Sequence, residues 1–204
     1  MQSFLFYSVI ILWCTQVLSL FAIFLLFRQF GQVYLSTGEG ISRDGIPIGE
    51  QIPHVELFSL KEKKHVQLTS KLMKPTLISF ISPSCKPCKE LLHDWNEAHQ
   101  TYGDELNMVT VILGEEQSVI KLAKNYAIQG ETLWDPTEEV FGRFGVRVTP
   151  FAFAIDQNGV VQDKGLCGNR KQVELIASSI IKKANEKEGV EDDRSVTAEE
   201  SKFL

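Results

Sequence analysis

The stretch that decides the fold is Thr76-Leu77-Ile78-Ser79-Phe80-Ile81-Ser82-Pro83-Ser84-Cys85-Lys86-Pro87-Cys88-Lys89. Its first six residues form an apolar, β-leaning run. Beyond Lys89, the positions Leu91, Leu92, Trp95 and Ala98 recur at helical spacing. Cys85 and Cys88 therefore fall where a strand hands over to a helix, the usual setting of a dithiol–disulfide pair. At the start of a helix, unpaired N–H groups and the macrodipole favour a negative thiolate. Lys86 adds a positive charge beside it, and the thiolate is the attacking species. Cys88 lies about one helical turn on and faces the same way, so it can close a disulfide as the resolving thiol. Pro87 fits the first turn, where its missing N–H is not needed.

Two bland readings compete with this one. A zinc site would need a second ligand pair, and His93 and His99 are not spaced to supply it. A chance pair of core cysteines would need neither the strand, nor the helix, nor the later Thr149-Pro150.

The chain has 204 residues, enough for one domain with extensions, and 44% hydrophobic residues, enough for a real core. The net charge of -5 gives no sign of a nucleic-acid partner. Four cysteines are too few for a disulfide scaffold at this length. No metal or cofactor is expected.

Phe4 to Phe27 carries no charge, and Gln16 is its one strongly polar residue. About 20 such residues span a bilayer as a helix. A basic start and a small-residue exit, the marks of a cleaved signal, are absent. Residues 1–29 are therefore expected to be a transmembrane anchor, with Cys14 a lipid-facing or packing residue. Arg28 would argue by the positive-inside rule for a cytosolic domain. A redox domain argues for the oxidising side, where disulfides persist. The expectation adopted is an extracytoplasmic domain on a single-pass anchor in the cell membrane.

Residues 30–51 read as a linker, residues 52–185 as the domain, and residues 186–204 as a solvated acidic tail. Within the domain, His54–Phe58 and His65–Leu68 read as strands around a turn at Lys61–Lys64. Asn107–Leu113 reads as a buried strand, and Val119, Leu122, Ala123 and Tyr126 mark a helix. Thr132–Trp134 reads as a short strand, and Thr137–Phe144 as a short helix ending at Gly145. Phe151–Ile155 is a strand with a hairpin turn at Asp156–Gly159. Val173, Ile176, Ala177, Ile180 and Ile181 stripe a last helix. The order implies an α/β sandwich, a central mixed sheet flanked by helices, with a β extension in front and a helical insertion in the middle.

On these residues the chain resembles the thioredoxin-fold redoxins of the TlpA-like group. It looks most like the membrane-anchored MauD-type proteins of methylamine utilisation. The likeness rests on Arg28-Gln29-Phe30-Gly31, on Ile48 to Pro53, on Phe80 to Leu92, on Phe144-Gly145-Val146 with Thr149-Pro150, on Asp156 to Gly159, and on Lys164-Gly165-Leu166. The resemblance implies a cis peptide before Pro150, facing the dithiol. The Thr149 backbone would then be free to pair with a substrate chain.

The implied activity is thiol–disulfide exchange on a disulfide-containing client protein, with Lys86 and Pro87 tuning the pair. A membrane or soluble thiol–disulfide protein would supply or remove the electrons. Peroxide reduction is a rival, with Ser82 and one of Arg143, Arg147 or Arg170 in the required roles. That chemistry wants a proline where Ile78 stands. A non-enzymatic assembly factor for a client protein is a second rival. A buried carboxylate able to take the proton of Cys88 cannot be placed, although Glu131 and Asp135 are possible. Cys167, just past the last strand, is expected at the rim of the site as a possible extra redox thiol, or else as a small buried residue.

Overall fold

The structure, a computed structural model, describes residues 7–25 and 44–183. The proposed acidic tail lies outside the described residues. So do residues 26–43, which hold the end of the anchor and most of the linker. The described chain falls into two compact units that divide between Arg43 and Asp44.

In the first unit, helix α1 (Tyr7–Leu25) is 19 residues long with a mean hydropathy of 2.2. Its rise of 1.5 Å per residue makes it about 28 Å long, close to the apolar thickness of a bilayer. Its large side chains, Trp13, Leu18 and Phe24 among them, point outward and are exposed. Length and composition suffice to cross a membrane, and a signal sequence shares both properties.

The second unit is built on one seven-stranded sheet. Its strands are β1 (Glu56–Ser59), β2 (Lys64–Gln67), β3 (Thr76–Ile81), β4 (Asn107–Leu113), β5 (Glu131–Asp135), β6 (Phe151–Ile155) and β7 (Val161–Leu166). In space they run β2-β1-β5-β4-β3-β6-β7. The three strands at the centre, β5, β4 and β3, are parallel; the pairs outside them are antiparallel. Helix α2 (Lys86–Tyr102) links β3 to β4, and α3 (Glu116–Tyr126) links β4 to β5. The short α4 (Glu139–Arg143) precedes β6, and a last helix, α5, covers residues 170–183. A mixed sheet flanked by helices, with a β hairpin in front, is the expected architecture. A 3-10 turn at Leu68–Lys71 was not foreseen.

Alternation along the strands explains the two layers. Leu77 and Ile81 of β3, Met108 and Ile112 of β4, and Ala152 and Ala154 of β6 face one side. There they meet Leu91, Leu92 and Trp95 of α2, Val119 of α3, and Val173 and Ala177 of α5. The two alanines leave room for helices to approach. The intervening positions carry bulk. Phe80 and Phe153 meet ring to ring at 5.7 Å, and Phe144 lies 5.0 Å from Phe80. Each fully buried large side chain of this kind contributes about 1.5–3 kcal/mol.

The strand at Thr132–Trp134 is longer than expected and lies inside the sheet, between β4 and β1. The helix before Gly145 is shorter, because Asp135 caps it late. The Asp135 carboxylate accepts from the N–H groups of Val140 and Phe141. Gly145 closes the helix at φ +67°, a conformation suited to glycine.

The end of the expected linker is hydrogen-bonded into the domain. Gly45 N–H donates to the Gly145 carbonyl at 2.9 Å, Ile46 to Phe144 at 3.0 Å, and Gly49 to Val161 at 2.8 Å. Its glycines and Ile-Pro read as a linker with no sustained period. Gly45 and Gly49 adopt φ +77° and +91° there, and a Cβ on Gly45 would strike the Phe153 ring.

Candidate dithiol site

The site forms where β3 ends and α2 begins. All six residues of β3 are buried, so the strand holds its C-terminal end rigidly. Cys85 is the N-cap of α2, with extended backbone, and Pro87 sits in the first turn. The Cys88 N–H donates to Cys85 Sγ at 3.2 Å, which satisfies one of the orphan amides of the helix start. Cys85 and Cys88 are joined by a disulfide, their Cα atoms 5.3 Å apart. Cys85 is half-buried, Lys86 and Pro87 are exposed, and Cys88 is buried. A visiting chain therefore meets Cys85 before Cys88.

The facing wall comes from the loop before β6. The Thr149–Pro150 peptide is cis, as the resemblance implied. The Thr149 carbonyl oxygen lies 3.5 Å from Cys85 Sγ. In the disulfide form that sulfur has no proton to give, so this is a contact; a reduced Cys85 thiol could donate across it. The structure thus brings Cys85, Lys86, Pro87, Cys88, Thr149 and Pro150 to one place.

Cys167 is a different case. Its side chain is fully buried in the same core as Cys88 and Trp95, and its N–H donates to the Pro150 carbonyl at 3.1 Å. Burial, with Asp94 adding to it, pushes the thiol up to about 12. Of the two readings of this residue, the small buried one describes it, and its N–H continues the β6–β7 ladder one step past Leu166.

The possible proton acceptors are engaged elsewhere. Glu131 accepts from Ser59 Oγ and pairs with Lys71, and Asp135 caps α4. The arginines that peroxide chemistry would draw on are paired too: Arg143 with Glu139 at 3.7 Å, Arg147 with Asp44 at 3.8 Å, and Arg170 with Glu97 and Glu174. Ile78, standing where that chemistry wants a proline, is buried inside β3.

Sequence reasoning missed the packing behind the motif. Trp134 Nε1 donates to the Gly114 carbonyl at 2.8 Å, and a Cβ on Gly114 would come within 3.2 Å of the Pro83 ring. The turn after β4 thereby backs the turn before Cys85. No local pattern signals it, since the three residues come from three separate segments.

The fold and the cis-proline-faced dithiol define a thioredoxin-like redoxin. Residues 48–164 match the AhpC/TSA family, and the chain belongs to that family. It is similar to methylamine utilization protein MauD of Methylobacillus flagellatus, 29% identical over 136 residues, covering 65% of this chain and 63% of that one. It is similar to thiol-disulfide oxidoreductase ResA of Geobacillus thermodenitrificans, 27% identical over 122 residues, covering 59% and 70%. The alignment with the first of these spans somewhat less than two thirds of the relative's length. Among solved structures, a putative thiol:disulfide interchange protein DsbE from Chlorobium tepidum superposes with a TM-score of 0.61 at 21% identity, covering 67% of this chain and 96% of that one.

Proposed function

We propose that this protein is a thiol–disulfide oxidoreductase that exchanges a disulfide with a client protein through Cys85 and Cys88. The observation that carries the reading is the half-buried Cys85 at the N-cap of α2, bonded to a buried Cys88 and set against the cis Thr149–Pro150 peptide. In the reducing direction the Cys85 thiolate attacks a client disulfide. A mixed disulfide forms, and one client sulfur leaves as a thiolate. Cys88 then attacks Cys85 Sγ, its proton passing to the client sulfur that leaves. The Cys85–Cys88 disulfide forms and the second client sulfur departs as a thiol. Two electrons have passed to the client, whose first thiolate takes up a proton from solvent. The reverse sequence donates a disulfide.

Lys86 and the helix start favour the thiolate of Cys85. The Thr149 backbone takes the client chain as an added strand. Maturation of a disulfide-containing enzyme is a client role that fits this chemistry. Helix α1 holds the domain at a membrane, on the extracytoplasmic side where disulfides persist. A second thiol–disulfide protein resets the pair.

The test is reduction of insulin disulfides by the full chain in detergent. Cys85→Ser abolishes it, and Cys88→Ser accumulates mixed disulfides through Cys85. A Cys85→Ser protein that works at the normal rate overturns the reading. A double Cys85→Ala, Cys88→Ala protein that still supports its client would make the role one of binding.

A further inference from the structure

The loop that faces Cys85 is gripped from both ends by a segment far away in sequence. Gly45 and Ile46 donate to the carbonyls of Gly145 and Phe144, just before the loop. Gly45 also stands against the rings that follow it. A Cβ there would meet Phe153 Cζ at 2.7 Å and Phe151 Cε1 at 3.1 Å. Gly45 adopts φ +77°, so glycine is required twice over, by conformation and by space. Between these two grips the chain runs Val146-Arg147-Val148-Thr149-Pro150, and Arg147 Nε lies 3.8 Å from Asp44 Oδ1. Lys164 of β7 locks the segment down. Its Nζ donates to the carbonyls of Asp44 at 2.8 Å and Gly45 at 2.9 Å. A partly desolvated ammonium on two backbone carbonyls is an unusual use of lysine, which is mostly left in water.

We infer that Asp44–Ile46, clamped by Lys164, is a positioning strap that sets the distance and angle of the Thr149 carbonyl over Cys85. It is thereby a determinant of how well the site takes a protein disulfide. The inference rests on the thiol–disulfide reading above and assigns this reaction a residue, Lys164, that touches neither cysteine. A small disulfide needs only the sulfur of Cys85. A protein disulfide also needs the Thr149 backbone held ready for its chain. Loss of the clamp therefore separates the two substrates.

The experiment compares Lys164→Met and Lys164→Arg with the native full chain. Each is assayed on insulin and on a small aromatic disulfide. Hydrogen bonds from a charged group are worth enough that Lys164→Met lowers kcat/KM on insulin about tenfold, mainly through KM. The rate on the small disulfide stays within about twofold, and Lys164→Arg, which keeps the charge and N–H donors, restores part of the loss. Unchanged kinetics on insulin, or a parallel fall on both substrates, overturns the strap. A separate readout needs no activity. The Cys167 amide, bonded to the Pro150 carbonyl, exchanges its hydrogen about tenfold faster in Lys164→Met if the loop is released. Unchanged protection there sinks the strap, whereas a native chain inactive on both disulfides sinks the oxidoreductase reading instead.

Discussion

Cys167 donates its backbone N–H to the carbonyl of Pro150 at 3.1 Å, while its side chain lies fully buried behind the dithiol. The backbone of this cysteine is thus bonded to the cis-proline, and its buried sulfur is expected to stay out of disulfide exchange. Replacing it with alanine costs about 1–2 kcal/mol of stability for the lost packing and leaves insulin reduction within about twofold. Denaturant melts and the insulin assay check this. Abolished exchange in Cys167→Ala would return the sulfur to the mechanism.

The same burial makes stability depend on alkaline pH. The thiol is raised from its ordinary 9.0 to about 12 in the folded state. Above pH 9 the unfolded chain loses this proton while the folded chain keeps it, so the unfolded state binds fewer protons and folding weakens as pH rises. The contribution is whole below 9.0 and gone by about 12. Melts of the native protein over that window fall more steeply than those of Cys167→Ala. Identical slopes would show that the thiol is not held protonated.

The two cysteines of the motif differ in access. Cys88 is 0% exposed and Cys85 is half-buried. In the reduced protein, iodoacetamide therefore modifies Cys85 faster than Cys88, by on the order of a hundredfold. Peptide mass mapping after brief labelling reads the ratio. Equal labelling would mean that the roles of attacking and resolving thiol are not set by burial.

Trp95 offers a packing test. It is fully buried on the inner face of α2, and its Nε1–H has no hydrogen-bond partner among the described residues. Leaving such a donor unsatisfied costs about 1–3 kcal/mol. Trp95→Phe removes that donor along with some volume, so the two effects offset and stability changes by about 1 kcal/mol or less. Trp95→Ala costs about 3–5 kcal/mol. Urea unfolding of both variants decides it, and a Phe variant as unstable as the Ala variant would imply a buried partner for the indole.

The Asp135 carboxylate is taken up by the start of α4. It accepts from Val140 and Phe141 at 3.0 and 3.1 Å and from Thr137 at 3.3 Å. Asp135→Ala removes the cap and costs about 2 kcal/mol, with little change in the rate of disulfide exchange. An exchange rate that collapsed while the melt stayed put would assign Asp135 to the chemistry after all.

The sequence by itself determined the parts whose cause is local. The run Thr76–Ile81, the stripe Leu91, Leu92, Trp95 and the three-residue spacing of Cys85 and Cys88 act within a few turns of chain, so strand, helix and dithiol could be read without coordinates. The apolar run of α1 is of the same kind. Only the tertiary structure decided what the dithiol faces and what lies behind it. Thr149 stands 64 positions from Cys85 and reaches it because β6 pairs with β3. Gly45 reads as linker until the sheet brings Gly145 and Phe153 against it. Cys167 and Asp135 likewise look available for chemistry in one dimension. Burial beneath Pro150 and the N–H groups of α4 occupy them in three, and contacts between distant segments leave no periodic trace in the chain that makes them.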